Sequence, residues 1–266
     1  MRNVLGEGWI IKSAGGSTGE AYCAQSNHKR LFLKRNSSPF LAVLSAQGIV
    51  PKLVWTKRLE NGDVITAQEW LDGKEMIPEV IQHPKVAELL GRIHHSTELL
   101  DMLTRMGKKP LYPITLYREL EQLVQENNNA FCSMTVNRAL NWMKKQLGSV
   151  INIKPVVCHC DLNHNNWLVT NKGQLYLIDW DNAEIADPAL DLAMLFNRYI
   201  QEHEWEKWLE NYGEKGSRSL YIRVHWYMIY KLIMELDCEI DLNNFNCKVQ
   251  QLEFVLRRAD TYLNSK

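Results

Sequence analysis

Val156-Val157-Cys158-His159-Cys160-Asp161-Leu162-Asn163-His164-Asn165-Asn166-Trp167-Leu168-Val169-Thr170-Asn171-Lys172-Gly173-Gln174-Leu175-Tyr176-Leu177-Ile178-Asp179-Trp180-Asp181 is the stretch on which the reading of this chain turns. Two short apolar runs, 167–169 and 175–178, flank Asn171-Lys172-Gly173-Gln174, a composition that closes a tight turn. A hairpin centred near Lys172 and Gly173 brings Asn166 opposite Asp179, within a residue or so. A carboxylate and an amide oxygen then stand side by side at the open end of the hairpin. They are hard oxygen ligands of the kind Mg2+ takes beside substrate phosphates. Asp161 precedes Asn166 by five residues, on the loop entering the same hairpin. Phosphoryl transfer to an alcohol needs a carboxylate that accepts the hydroxyl proton, and metal that neutralises charge on the β- and γ-phosphates. One loop and one hairpin offer all three groups. Alone, the spacing His159-x-Asp161-x-x-x-x-Asn166 also fits an Asx-rich turn without chemistry. The hairpin, with Asp187-Pro188 and Asp191 downstream, weighs against that plainer reading.

Working outward, residues 9–70 read as β-rich. Trp9-Ile10-Ile11, Ala21-Tyr22-Cys23-Ala24, Leu31-Phe32-Leu33, Val50 to Thr56 and Val64 to Trp70 are short strands. Asn61-Gly62 makes the turn between the last two, and a helical piece falls near 39–47. After Leu71-Asp72-Gly73 the period changes. Pro84 to Leu100 sets Val86, Leu89, Leu90, Ile93 and Thr97 at helical spacing, with Pro84 suited to a first turn. Further helices are expected at 115–127, 134–147, 189–200, 203–212, 217–236 and 244–263, around a β-rich island at 155–179. The expected fold class is α+β, with a small antiparallel β lobe at 1–71 and a larger helical lobe at 72–266.

At 266 residues the chain can bury a substantial core, and its 31 Lys and Arg balance 31 Asp and Glu. Neutral composition makes no case for nucleic acid as a partner. No apolar run approaches the roughly 20 residues that span a bilayer, so membrane insertion is not expected. The first eleven residues lack a signal-peptide pattern, and the six cysteines then read as reduced thiols of a cytoplasmic protein. Cys158-His159-Cys160 invites a zinc reading, but alternate strand residues face opposite ways, so small buried cysteines account for it better.

His159-x-Asp161-x-x-x-x-Asn166 followed by Ile178-Asp179 resembles the catalytic signature of the aminoglycoside phosphotransferase and choline kinase family, relatives of protein kinases. Asp187-Pro188-Ala189-Leu190-Asp191-Leu192-Ala193 is similar to that family's next helix start, and Leu90-Gly91-Arg92-Ile93-His94 to its leucine-to-histidine helical segment. The resemblance runs over nearly the whole chain and implies a protein-kinase-like two-lobed fold. It makes Asp161 the catalytic base, Asn166 and Asp179 the metal ligands, and His159 a brace for the loop. It further implies that Gly15-Gly16-Ser17-Thr18-Gly19 covers the ATP phosphates, Ser17, Thr18 and Gly19 foremost. By the same resemblance Lys34 touches the α- and β-phosphates, Gln68, Glu69, Trp70 and Leu71 form the hinge that meets adenine, and Asp191 supports the catalytic loop from behind. ATP and Mg2+ are the implied cofactors. From residue type alone, Gly15-Gly16 is equally a tight turn, and Lys34 an edge-strand lysine.

Two departures from the family pattern stand out. Family members often carry a Glu on the helix after the lysine strand, yet no acidic residue occurs between Lys34 and Pro51. Trp180-Asp181 also stands where protein kinases have Phe-Gly. Cys160 replaces the arginine that protein kinases carry before the catalytic Asp, and only eleven residues separate Asp179 from Asp191. That is too short for a peptide-docking segment, so a small hydroxylated acceptor is expected. Within the family, the chain looks closest to the small CcrZ-type bacterial proteins, associated with cell-cycle control and with ribose or deoxyribose kinase activity. That subgroup implies a pentose acceptor, with Asn163, Asp181 and Asp187 as hydroxyl-binding candidates beside Trp180, and a cell-division protein partner. The alternatives are a choline acceptor in an aromatic cage of Trp167, Trp180 and Tyr199, an aminoglycoside or thiamine acceptor, or a kinase-fold regulator that binds ATP without turnover. Glu202-His203-Glu204-Trp205-Glu206 reads either as an acidic pocket lining or as a solvated helix face.

Overall fold

Leu31 and Leu33 are buried on one side of β3 (Arg30–Arg35), and they meet Ala24, Ile65 and Ala67 from its two neighbours in one apolar cluster. That alternation builds a five-stranded antiparallel sheet from β1 (Ile10–Gly15), β2 (Ala21–Gln25), β3, β4 (Leu53–Arg58) and β5 (Val64–Glu69), in the order β1-β2-β3-β5-β4. The chain is described here by a computed structural model over residues 5–15, 20–126, 133–237 and 241–264. The β4–β5 turn places Gly62 at φ +90°, a conformation glycine takes without steric cost. β3 is internal to the sheet, so Lys34 is not an edge residue. Helix α1 (Phe40–Ala46) follows β3 and buries Phe40 and Leu44.

The chain divides into two compact units. The first comprises Met1–Ile77, Thr97–Met102 and Asn163–Asn182, and the second Pro78–Ser96, Leu103–Leu162 and Ala183–Lys266. Relative to a division at residues 71 and 72, the first unit thus also takes in the hairpin 163–182. Strand pairing is the reason. β6 (Gly73–Glu75) pairs with β8 (Trp167–Thr170), which pairs with β9 (Leu175–Leu177). Gly73 permits the close approach, since a Cβ there would stand 2.6 Å from the Val169 carbonyl oxygen.

In the second unit β7 (Val156–Cys158) pairs antiparallel with β10 (Glu184–Ala186). Around this ribbon lie α2 (Pro84–His94), α4 (Pro113–Glu126), α5 (Met134–Val150), α6 (Ala189–Arg198), α7 (Trp205–Tyr212), α8 (Arg218–Asp237) and α9 (Leu242–Asn264). The long α8 is apolar on nearly every side and packs against α4, α5, α6 and α9, the pattern of a core helix.

The helix expected across 84–100 is two helices. His95 donates from Nδ1 to the Gly91 carbonyl at 2.7 Å and closes the last turn of α2. A new helix, α3 (Thr97–Arg105), then starts with Glu98 in its first turn, where the helix dipole favours an acid. Among the described residues no helix is long and apolar enough to cross a membrane.

Candidate active site

In the first unit the decisive hairpin has the register Trp167↔Leu177, and the Ile178 N–H donates to the Asn166 carbonyl at 2.8 Å. Asp179 therefore lies one residue beyond the partner of Asn166. Gly173, at φ +74°, donates to the Thr170 carbonyl and closes the turn. Just past β9 the backbone swings through Asp179 at φ +64°, a left-handed conformation that Asp tolerates better than most residues. The next residue turns inward. The Trp180 ring is 7% exposed, packs edge-on against Phe40 of α1 at 5.7 Å, and donates its Nε1 to the Leu177 carbonyl at 2.8 Å.

Asp179 and Asp181, either side of that buried ring, both reach Lys34. Lys34 Nζ lies 3.1 Å from Asp179 Oδ1 and 2.7 Å from Asp181 Oδ2. Burial lowers the Lys34 pKa, but the hydrogen bond it donates to Asp181 and the charges of both carboxylates outweigh it, and the ammonium is held above its ordinary value. The sequence reading put Trp180 and Asp181 on the acceptor side. In the structure Trp180 is an anchor of the first unit and Asp181 is the nearer partner of Lys34. Trp167 is fully buried as well, so neither tryptophan is open to a ligand as a cage wall.

The hinge candidates end β5. Gln68 is buried and donates from Nε2 to the Pro51 carbonyl at 2.7 Å. The Glu69 and Trp70 N–H groups donate to the Lys52 and Arg30 carbonyls. Leu71 leads into Asp72, which pairs with Arg30 at 2.5 Å. Ser17, Thr18 and Gly19 lie outside the described residues. Asn163 precedes the short turn that enters the hairpin, and its carbonyl accepts from the Asn166 N–H at 3.0 Å.

In the second unit a knot of buried polar groups fixes the loop that carries Asp161. Asp191, in the first turn of α6, is fully buried. Its two carboxylate oxygens accept the His159 N–H at 2.8 Å and the Cys160 N–H at 2.9 Å. His94 Nε2 bonds the same carboxylate at 3.1 Å, and His94 Nδ1 bonds Tyr212 Oη at 2.7 Å. Burial raises the Asp191 pKa, but the His94 hydrogen bond and the charges of His94 and His159 win, leaving it below the ordinary carboxylate value. Cys160 sits at φ +65°, a costly conformation for a residue with a Cβ, and its N–H bond to Asp191 holds it there. Asp161 follows, partly exposed, its N–H donating to His159 Nδ1 at 3.3 Å.

His94, Cys158 and Asp191 bring ligand-type atoms within 4.8 Å of one another. Burial first, then the charge of Asp191, pushes the Cys158 thiol well above its ordinary pKa, and His94 and Asp191 are already hydrogen-bonded to each other. Asp187 is also buried. Its Oδ1 caps α6 by accepting the Ala189 N–H at 2.9 Å and pairs with Arg223, while its Oδ2 is buried without a hydrogen-bond partner among the described residues. In the acidic run, Glu202 bonds Tyr262 and Arg258 and Glu206 bonds Tyr221, so both tie helices together. Two features escaped the sequence reading: Asp181 as partner of Lys34, and His94 with Tyr212 behind Asp191. The Asp-Trp-Asp alternation about an apolar ring was the available signal for the first.

A family model described as the phosphotransferase enzyme family matches residues 11–227. A curated protein of Metamycoplasma hominis, itself uncharacterized, is 26% identical over 175 residues, which is 63% of this chain. The chain spans about a third, 33%, of the length of that relative. Among solved structures, choline kinase LicA from Streptococcus pneumoniae is similar at 20% identity and a TM-score of 0.64, over 98% of this chain and 96% of that one. A choline/ethanolamine kinase family protein from Mesorhizobium loti is similar at 15% identity and 0.64, over 100% and 92%. Aminoglycoside 2'-phosphotransferase-IIIa, solved as its GDP complex, is similar at 15% and 0.66, over 92% of each chain. At these identities the likeness shows the fold, which is α+β and protein-kinase-like, with an antiparallel sheet towards the N-terminus and helices towards the C-terminus. With the family model covering most of its length, the chain belongs to the phosphotransferase enzyme family.

Proposed function

We propose that this chain is an ATP-dependent small-molecule kinase that transfers the γ-phosphoryl group to a hydroxyl of a pentose, ribose or 2-deoxyribose. The observation that carries the reading is the Lys34, Asp179 and Asp181 cluster at the end of the hairpin that begins at Asn166. A held cation beside hard oxygen donors suits a polyphosphate and its metal. The donors present fit Mg2+: the Asp179 carboxylate is 54% exposed, and Asn166 offers an amide oxygen at the hairpin's open end. Bound by Asn166 and Asp179, Mg2+ would neutralise phosphate charge. Lys34 contacts the α- and β-phosphates. Asp161 orients the acceptor hydroxyl and takes its proton. The acceptor oxygen bonds to the γ-phosphorus as the bond from that phosphorus to the β,γ-bridging oxygen breaks, and ADP leaves with the electron pair. His159 and Asp191 hold the Asp161 loop in place.

For the acceptor, the aromatic-cage alternative loses Trp167 and Trp180, both buried. Of the hydroxyl-binding candidates, Asp181 is paired with Lys34, and Asp187 is buried with its Oδ1 on Arg223 and the Ala189 N–H. The pentose rests on the subgroup resemblance, as does a role beside a cell-division partner. The feature that favoured a regulator without turnover was a Lys34 lacking its carboxylate, and Asp181 supplies one at 2.7 Å. The test is ADP release from ATP and Mg2+ over pentoses, choline, thiamine and aminoglycosides. Turnover with ribose or 2-deoxyribose is expected; turnover with choline or thiamine alone would overturn the pentose.

A further inference from the structure

A lysine acts on phosphate as a point charge at the end of a long, flexible stem, so something must hold it in place. In kinases of this architecture an ion pair from a neighbouring helix does so. Here α1, the helix that follows the lysine strand, contains no acid. The carboxylates come instead from the turn after β9. Trp180 is clamped on Phe40 of α1, and the left-handed Asp179 sets residues 179 and 181 on the outward side of the buried ring. Of the two carboxylates, the nearer to Lys34 is Asp181, at 2.7 Å against 3.1 Å for Asp179. Asp179 is the residue proposed to hold metal, and a carboxylate drawn to a metal gives up part of its hold on an ammonium. Asp181 is not among the residues proposed to hold the metal. The helix α1 thus contributes an apolar clamp on the turn in place of an ion-pairing acid.

We infer that Asp181 is the positioning residue for Lys34, replacing the missing helix-borne carboxylate and holding the ammonium ready for nucleotide phosphate. This rests on the ATP-dependent reading above. The test measures dissociation constants of a fluorescent ATP analogue, in EDTA and in Mg2+, for the full chain and for Asp181→Asn, Asp181→Glu, Lys34→Met and the double variant Lys34→Met/Asp181→Asn. The Asp181 side chain is 54% exposed, so its variants should keep the wild-type melting temperature. Loss of a charge-assisted hydrogen bond predicts binding weaker by about fivefold or more in Asp181→Asn, with or without Mg2+. Asp181→Glu should stay within about threefold, since it keeps the charge. In the Lys34→Met background Asp181→Asn should have almost no further effect, because residues acting through one contact are not additive. An unchanged Asp181→Asn, an undiminished loss in the Lys34→Met background, or a loss seen only with Mg2+ would each overturn the inference, the last by making Asp181 a metal ligand. A wild-type chain that binds no analogue sinks the ATP reading itself, and the inference with it. Wild-type binding with additive variants sinks the inference alone.

Discussion

Replacing Asp161 with asparagine keeps the size and polarity of the side chain and removes its capacity to take a proton. General-base catalysis contributes about 10²–10⁴-fold, so kcat for ADP release should fall by that order while ATP-analogue binding stays near wild type. Asp191 behaves differently, because nothing at that position touches substrate. Asp191→Ala strands two buried backbone N–H groups and His94, and should cost about 3–5 kcal/mol in urea unfolding. Its pH signature has a definite sign. The folded carboxyl lies below its ordinary 3.8, so the associated stability is present above that value and lost as pH falls through the lowered one. Asp191→Asn should therefore flatten the acid limb of a stability-versus-pH curve; an unchanged limb would remove Asp191 from the account. At this scale the sequence was readable where spacing sets register, as in the hairpin that brings Asn166 within a residue of Asp179. It was opaque where a role depends on which way a ring turns. Trp180 read as a ligand contact because nothing in its neighbours announces Phe40, 140 positions earlier in the chain.

Among the elements, the packing of α2 on α7 shows what a single hydrogen atom in place of a methyl permits. A Cβ on Gly91 would lie 2.2 Å from the Tyr212 carbonyl oxygen, a backbone atom that cannot swing aside. Gly91→Ala should destabilise the protein by about 1–3 kcal/mol despite the better helix propensity of alanine. Thermal melting checks the sign, since a stabilised variant would mean that the two helices are free to separate. The same approach sets His94 beside Tyr212, so the variant should also disturb the groups behind the Asp161 loop. The five strands of the larger sheet and most helices were legible from period, as was the tight turn at Gly173, whereas β6 and β10 were not. The break between α2 and α3 was not, because Ile93 and Thr97 keep helical spacing across it. The His95 ring closing on the Gly91 carbonyl is a local bond that hydrophobic pattern does not register. The pairing of β6 with β8 was equally hidden, since about 100 positions separate partners such as Gly73 and Thr170.

For the whole molecule, charge balance and length restricted the function class; the change of period near residue 72 marks where strands give way to helices, but not that 97–102 and 163–182 group with the sheet-bearing unit. The strand order did not follow from it, because five short runs admit many pairings. Nor did the acceptor, since specificity depends on which side chains surround a hydroxyl rather than on any motif. The central claim is ATP-dependent transfer to a small hydroxylated molecule with Asp161 as base. Its most direct test is ADP release by the purified chain with ATP and Mg2+, in the presence and absence of ribose or 2-deoxyribose, beside Asp161→Asn. Acceptor-dependent release in the wild type, reduced by about 10²-fold or more in the variant, is the expected result. Release that ignores every acceptor, or that survives undiminished in Asp161→Asn, would contradict it.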